Sequence, residues 1–217
     1  MENPLYQFAP DGTCLIETLG YRRDEGCRYL DLHLARLQRS VQALEFKVDI
    51  KAIGTRLQAI KSATPLRCRL TVAQDGHCAL HTTPLQEKTL PWSVAIAPQR
   101  LVSDDLWLRH KTTQRAFYDD MRAALPVGVD EWLFFNERDE LCEGTITNIF
   151  IIKAKGKMIT PASNCGVLPG VFRQTLLAKG LCTERVITRQ DLAQCRAISL
   201  GNSLRGALGA VLCDVKA

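Results

Sequence analysis

The chain has 217 residues, 46% hydrophobic and 24% charged, with a formal net charge of +5 from 28 basic and 23 acidic side chains. That composition suits a soluble globular protein with one large domain or two small ones around a substantial core. The charges are scattered, without a basic block, a basic–aromatic ladder or an acidic tail, which argues against nucleic acid as a partner, and no run approaches the roughly 18 apolar residues of a membrane span.

Read in chain order, the first ten residues, MENPLYQFAP, lack a basic region followed by an apolar run, so no secretory signal is expected. Residues 13–21 (TCLIETLGY) read as a strand before a polar turn at 22–26. After Asp31, the spacing of Leu32, Leu34, Leu37, Val41 and Leu44 predicts a helix with an apolar stripe. A second helix is expected from near Asp49 through Ile53, Leu57 and Ile60. Two β-rich runs, LRCRLTVAQ and HCALHTT, joined at Asp75-Gly76, predict a hairpin, and WSVAIAP a further strand.

The second half is expected to open with a helix over 115–125. Strand 131–136 (EWLFFN), a polar turn at 137–139 and a strand from Leu141 read as another hairpin, and 145–152 (TITNIFII) as one β-prone run. KAKGK (153–157) reads as a turn, and VLPGVFRQTLLAKG as a loop entering a helix that ends at Gly180. A strand ERVIT, a short helix from about Asp191, and strands at 197–200 and 207–213 complete the reading. Hairpins outnumber alternating strand–helix units, which predicts an α+β protein of two subdomains with mixed or antiparallel sheet and helices, bounded at 1–100 and 101–217. The nine cysteines, odd in number and without a C-x-x-C pair, point to neither a metal site nor a dithiol motif; they suit small core hydrophobes in a reducing cytoplasm. No glycine-rich nucleotide-binding motif occurs.

Four segments carry residues that could do chemistry. RHKTTQR (109–115) places Lys111 between an extended segment and a helix, although a lone lysine in a basic cluster is usually a solvated surface residue. LCEGTITNIF (141–150) puts Glu143 and Asn148 between apolar strands, where a carboxylate serves either a site or a turn cap. CGVLPGVFR (165–173) leads into a helix whose first N–H groups suit a phosphate, or is simply a well-made helix start. SLGNSLRG (199–206) offers small polar donors, or a plain turn.

Together and in this order the segments HLARL, HKTTQRAFYD, DEWLFFNERDELCEGTITNIF, GVLPGVFR and GNSLRG resemble the class IV aminotransferase family, the fold-type IV pyridoxal-phosphate enzymes, over nearly the whole chain. The resemblance implies pyridoxal 5'-phosphate as cofactor, held by Lys111 as a Schiff base, with Lys111 also shuttling the proton. It implies that Glu143 pairs with the pyridine nitrogen, that Arg36, the N–H groups of Val171 and Phe172, and Ser203 bind the phosphate, and that Thr147 and Asn148 lie near the ring or support it. These residue types suit the chemistry: a lysine amine condenses reversibly with an aldehyde, a carboxylate keeps the ring nitrogen protonated, and a guanidinium grips a phosphate.

The RHKTTQRAFYD and GNSLRG segments look most like aminodeoxychorismate lyase, which converts 4-amino-4-deoxychorismate to 4-aminobenzoate and pyruvate in folate precursor synthesis. In that reading the substrate amine displaces Lys111, Lys111 removes the ring proton and pyruvate is eliminated, with Arg109 and Arg205 as candidates for the substrate carboxylates. The alternatives are an aminotransferase acting on branched-chain or D-amino acids, and a non-catalytic member that binds cofactor or a partner protein. The resemblance also implies a homodimer acting on a small molecule. Relative to the family pattern, the segment LIETL begins early in the chain, so an N-terminally trimmed small domain is expected.

Overall fold

The structure, a computed structural model, describes residues 9–86, 91–153, 156 and 158–213. Most of the expected turn at 153–157 lies outside the described residues. The fold is α+β, in two units: Met1–Glu87 with His110–Gln114, and Lys88–Arg109 with Arg115–Ala217. This division differs from a boundary at residue 100. The strand at Trp92–Leu101 pairs within the sheet of the second unit, while the segment at 110–114 pairs with the first. Backbone hydrogen bonding, which no local composition reports, sets the division.

The first unit is a four-stranded sheet, β1 (Leu15–Arg22), β2 (Gly26–Cys27), β3 (Leu66–Val72) and β4 (Cys78–Pro84), in the order β2-β1-β3-β4, with helices α1 (Leu30–Ala43) and α2 (Ile50–Gln58). The hairpin expected around Asp75-Gly76 forms as β3 and β4, paired in register from Leu66↔Pro84 to Val72↔Cys78. Gly76 sits at φ +88, where a side chain would meet the Lys47 carbonyl. Asp49 caps α2, its carboxylate accepting from Ala52 N at 3.0 Å.

Helix α1 departs from the expected apolar stripe. Its buried residues are His33, Arg36, Leu37, Ser40 and Val41, still one helical face but with three of the five polar. The reason is Glu17 on the central strand β1, which is itself buried and draws His33 and Arg36 inward. Periodicity of apolar residues cannot register a face chosen by a buried carboxylate.

The second unit is a seven-stranded mixed sheet in the order β6-β5-β11-β10-β7-β8-β9. Its strands are β5 (Trp92–Leu101), β6 (Glu131–Asn136), β7 (Asn148–Ile152), β8 (Met158–Pro161), β9 (Cys182–Arg185), β10 (Ala197–Asn202) and β11 (Gly206–Leu212); helices α3 (Ala116–Ala123), α4 (Val171–Ala178) and α5 (Arg189–Ala193) complete it. The pairs β5–β6, β5–β11 and β8–β9 are parallel, the others antiparallel. Val94, Leu133, Phe135, Leu141, Ile149, Ile151, Ile187 and Leu200 form one apolar cluster; Phe134, Trp132, Cys142 and Cys165 belong to another.

Three local expectations change. Residues 145–147 are not strand, because their N–H and hydroxyl groups turn toward Glu131 rather than a ladder. The segment from Leu141 pairs with β6 as an isolated bridge, Phe135↔Leu141, with neighbouring single bonds, rather than as a strand of its own. Helix α5 starts before Asp191, because Asp191 closes a capping box with Thr188 from within the first turn. All nine cysteines are free thiols.

Candidate functional site

Lys111 and Arg36 lie in the first unit; Glu143, Thr147, Asn148, Val171, Phe172, Ser203, Arg109 and Arg205 lie in the second.

In the first unit, residues 111–113 pair with the start of β1. Ile16 N donates to the Lys111 carbonyl at 2.8 Å, Thr113 N to the Cys14 carbonyl at 2.9 Å, and Leu15 faces Thr112. The backbone of Lys111 is thereby fixed and its side chain is half-buried. Glu17, one position along β1 from Ile16, is 2% exposed. Its Oε1 accepts from Arg36 Nε at 2.9 Å, and its Oε2 from Arg36 Nη2 and His33 Nδ1, both at 2.5 Å. Burial alone would raise the Glu17 pKa, but the Arg36 charge and the His33 bond hold it down at about 2.

Burial lowers the His33 pKa, helped by the Arg36 and Lys111 charges and opposed by Glu17. A neutral His33 that donates through Nδ1 leaves Nε2 as an acceptor, and that atom is buried without a hydrogen-bond partner. The Nη1 of Arg36 makes no hydrogen bond among the described residues. Next along the α1 face, Ser40 Oγ lies 3.0 Å from His110 Nδ1.

In the second unit, Glu143 ends the short stretch that follows β6 and faces Asn148 across a tight turn closed by Gly144 N on the Thr147 carbonyl at 2.8 Å. Its carboxylate is 6% exposed; Oε1 accepts from the Tyr118 hydroxyl at 2.7 Å and Oε2 from Leu168 N at 2.9 Å. Burial, then the Glu143 charge, pushes the Tyr118 phenol well above its ordinary range, so the phenol keeps its proton and donates it. Asn148 Nδ2 donates to the Leu168 carbonyl at 3.0 Å, which ties the same loop to the turn from the other side. Gly170 follows, and a side chain there would collide with Asn148.

Gly170 is the N-cap of α4 and supplies no side-chain cap, so the N–H groups of Val171 and Phe172 open the helix without one. The β10–β11 turn reaches the same turn through Asn202, whose Nδ2 donates to the Ile146 carbonyl at 3.3 Å while its Oδ1 accepts from Leu204 N and Arg205 N at 3.1 and 3.0 Å. Gly201 leaves room for the Phe172 ring, which a Cβ would meet at 2.6 Å. Within this unit, Glu143, Asn148, the 168–172 loop and the 202–205 turn are thus linked by direct contacts.

The remaining predicted residues take different places. The Thr147 hydroxyl is 3.2 Å from Glu131 Oε2, which is a supporting position. Ser203 is buried. Arg205 lies over the Trp92 ring at 5.6 Å, and Arg109 is exposed at the end of a single 3-10 turn.

Sequence reasoning did not single out Glu17, His33, Tyr118 or Glu131. Glu131 is fully buried. Its Oε1 accepts from the Thr145 N–H at 2.9 Å and the Thr145 hydroxyl at 2.5 Å, and its Oε2 from Ile146 N at 3.2 Å. A carboxylate within an otherwise apolar strand is the signal that marks both Glu17 and Glu131.

This two-sheet α+β arrangement is the fold of the fold-type IV pyridoxal-phosphate enzymes. The chain matches the Amino-transferase class IV family over residues 14–213 and belongs to it. It is similar to a structure assigned as an amino-acid aminotransferase from Mesorhizobium loti, at 36% identity and a TM-score of 0.86, over 93% of this chain and 100% of that one. The PLP-bound form of a hypothetical aminotransferase from Mycobacterium tuberculosis shares the fold at 21% identity and a TM-score of 0.78, over 98% of this chain and 84% of that one. Among curated proteins, the aminodeoxychorismate lyase of Saccharomyces cerevisiae is 28% identical over 142 residues, 57% of this chain and 38% of the lyase. The chain spans only 24% to 38% of the length of the curated relatives it matches. No helix among the described residues is long and apolar enough to cross a membrane.

Proposed function

We propose that this chain is a pyridoxal-phosphate enzyme that cleaves 4-amino-4-deoxychorismate to 4-aminobenzoate and pyruvate, with Lys111 holding the cofactor and moving the proton. The observation that carries the cofactor reading is the Glu143 carboxylate. It is buried, and it accepts from the Tyr118 hydroxyl on Oε1 and from Leu168 N on Oε2. An ionised carboxylate accepts at several lone pairs, so a protonated ring nitrogen is a suitable further donor to it. Pyridoxal phosphate, when bound, supplies an electron sink for charge that develops on the substrate carbon.

The other residues fit the group by their chemistry. Arg36 gives Nε and Nη2 to Glu17 and retains Nη1 for a phosphate oxygen. The uncapped N–H groups of Val171 and Phe172 favour an anion at the start of α4, and Ser203 adds a hydroxyl. Thr147, through Glu131, and Asn148, through the Leu168 carbonyl, keep Glu143 and the 168–170 loop in place. The Lys111 amine, fixed through its backbone to β1, holds the cofactor and takes the proton from the substrate carbon; a positioned general base contributes on the order of 10²–10⁴-fold. Arg109 and Arg205 are assigned to the substrate carboxylates.

The lyase reading is supported by the RHKTTQRAFYD and GNSLRG segments and by the 142-residue match to the yeast lyase. A second reading, amino-acid transamination, is favoured by the likeness to the Mesorhizobium loti protein. Pyruvate release from 4-amino-4-deoxychorismate by the cofactor-loaded protein, with Lys111→Ala alongside, separates them. Release by the wild type alone supports the lyase. No release from a protein that binds cofactor rules out the lyase, and amino-group transfer from a panel of L- and D-amino acids then tests the second reading. We also assign the protein to the cytoplasm, which fractionation of cells expressing it tests, and to a homodimer, which sedimentation of the loaded protein tests.

A further inference from the structure

Helix α3 grips the turn that carries Glu143. Three residues at its start and along it, spaced on one helical face, reach that turn within the second unit. Arg115 Nη2 donates to the Thr145 carbonyl at 3.3 Å, the Tyr118 hydroxyl to Glu143 Oε1 at 2.7 Å, and Arg122 Nη1 to the Thr145 hydroxyl at 2.9 Å. Arg122 also pairs with Glu131 at 3.5 Å, beneath the same turn. The Tyr118 ring is held in turn: it meets Phe117 and Phe134 with ring centroids 5.7 and 5.6 Å away, and the Arg115 guanidinium lies 5.8 Å from its centroid. The hydroxyl is thus delivered to Glu143 by a ring with little freedom to turn away.

We propose that Tyr118 is a positioning residue that acts through Glu143, keeping the proton shared between that carboxylate and the cofactor's ring nitrogen on the nitrogen. This rests on the reading of Glu143 as the partner of that nitrogen. Relative basicity decides where the proton sits. A carboxylate and a pyridine nitrogen in contact share one proton, and the more basic of the two holds it. A hydroxyl donating to the carboxylate stabilises its ionised form and makes it the weaker base. Leu168 N does the same on the other oxygen, but it is a backbone group fixed by its loop. Tyr118 is the member of the pair that a side-chain change can remove. Without it, Glu143 becomes more basic, the proton moves toward the carboxylate, and the ring becomes a poorer electron sink while its contacts stay in place.

The test uses the holoenzyme loaded with pyridoxal phosphate carrying ¹⁵N in the ring, whose chemical shift reports protonation of that nitrogen directly. Wild type, Tyr118→Phe and Glu143→Gln are compared for that shift, for cofactor dissociation and for turnover. Tyr118→Phe removes one hydroxyl from a ring packed among aromatics, so the fold is retained, and thermal unfolding checks this. The expected result is a protonated nitrogen in the wild type, an unprotonated one in Glu143→Gln, and a shift in Tyr118→Phe displaced toward that of Glu143→Gln. Turnover in Tyr118→Phe should fall by about ten-fold, as for loss of one hydrogen bond to a charged group, with cofactor dissociation unchanged. A Tyr118→Phe shift identical to the wild type, with Glu143→Gln displaced, overturns the role of Tyr118 and leaves Glu143 standing. A shift that Glu143→Gln leaves unmoved overturns the reading of Glu143 and this inference with it.

Discussion

Two buried carboxylates, one in each unit, are solved in opposite ways. Glu17 is answered by side chains: a guanidinium takes both its oxygens and an imidazole joins on one. Glu131 is answered mainly by a loop, whose backbone N–H groups and threonine hydroxyls converge on it, with Arg122 at 3.5 Å. The first arrangement fixes a cation through its Nε and Nη2. The second fixes a stretch of backbone, and with it Glu143 and Asn148 at the two ends of the turn. Burying a charge is costly in either case, so each carboxylate organises whatever satisfies it.

The largest effect expected from this contrast is at Glu17. Glu17→Gln leaves Arg36 buried without its counter-charge and should cost about 3–5 kcal/mol of stability, read by denaturant unfolding. Glu17→Gln combined with Arg36→Met should recover much of that loss; a cost below about 1 kcal/mol for the single change would show that the pair is not what holds α1 to β1.

Acid should expose the same pair. The Glu17 pKa is about 2 in the fold, against 4.5 for an unperturbed glutamate, so its contribution is present above about 4.5 and is lost as the pH falls toward 2. The amount is roughly 3 kcal/mol. His33, whose pKa is also lowered by folding, adds in the same direction, its share being lost as the pH falls below its unfolded value of 6.5. Stability measured against pH should fall steeply on the acid side in the wild type and less steeply in Glu17→Gln.

At Glu131 the expected cost is smaller but reaches the site. Glu131→Gln turns an amide toward the N–H groups of Thr145 or Ile146 and should cost about 1–3 kcal/mol. It should also weaken cofactor retention through the turn that holds Glu143, measured by equilibrium dialysis of the loaded protein. The smallest effect is a calibration away from both carboxylates. Thr188→Ala removes the α5 cap, in which Thr188 Oγ1 accepts from Asp191 N at 3.2 Å, and should cost about 1 kcal/mol with cofactor retention unchanged.

The sequence made local features legible and hid those that depend on distant partners. Strand β6 has the bounds that its β-rich run predicts, Asp49 caps α2, and Asp75-Gly76 makes the hairpin turn, because each rests on a few neighbouring residues. Strand β8 escaped notice, since its four residues, MITP, carry too short a pattern and depend on β7 and β9 for pairing. The expected strand at 145–147 and the apolar face of α1 failed for one reason: a buried glutamate elsewhere in the fold outcompeted β propensity and apolar periodicity. Lys111, Glu143 and the 168–172 loop stood out because each sits in a distinctive local motif. Tyr118 did not, because one aromatic residue in a short helix acquires meaning only when its hydroxyl is found on Glu143.

The central claim is that Lys111 holds pyridoxal phosphate. Borohydride reduction of the loaded protein, followed by peptide mass analysis, tests it most directly. A pyridoxyl adduct is expected on Lys111 in the wild type and none in Lys111→Ala. An adduct confined to another lysine, or bound cofactor that leaves no adduct on Lys111, would contradict it.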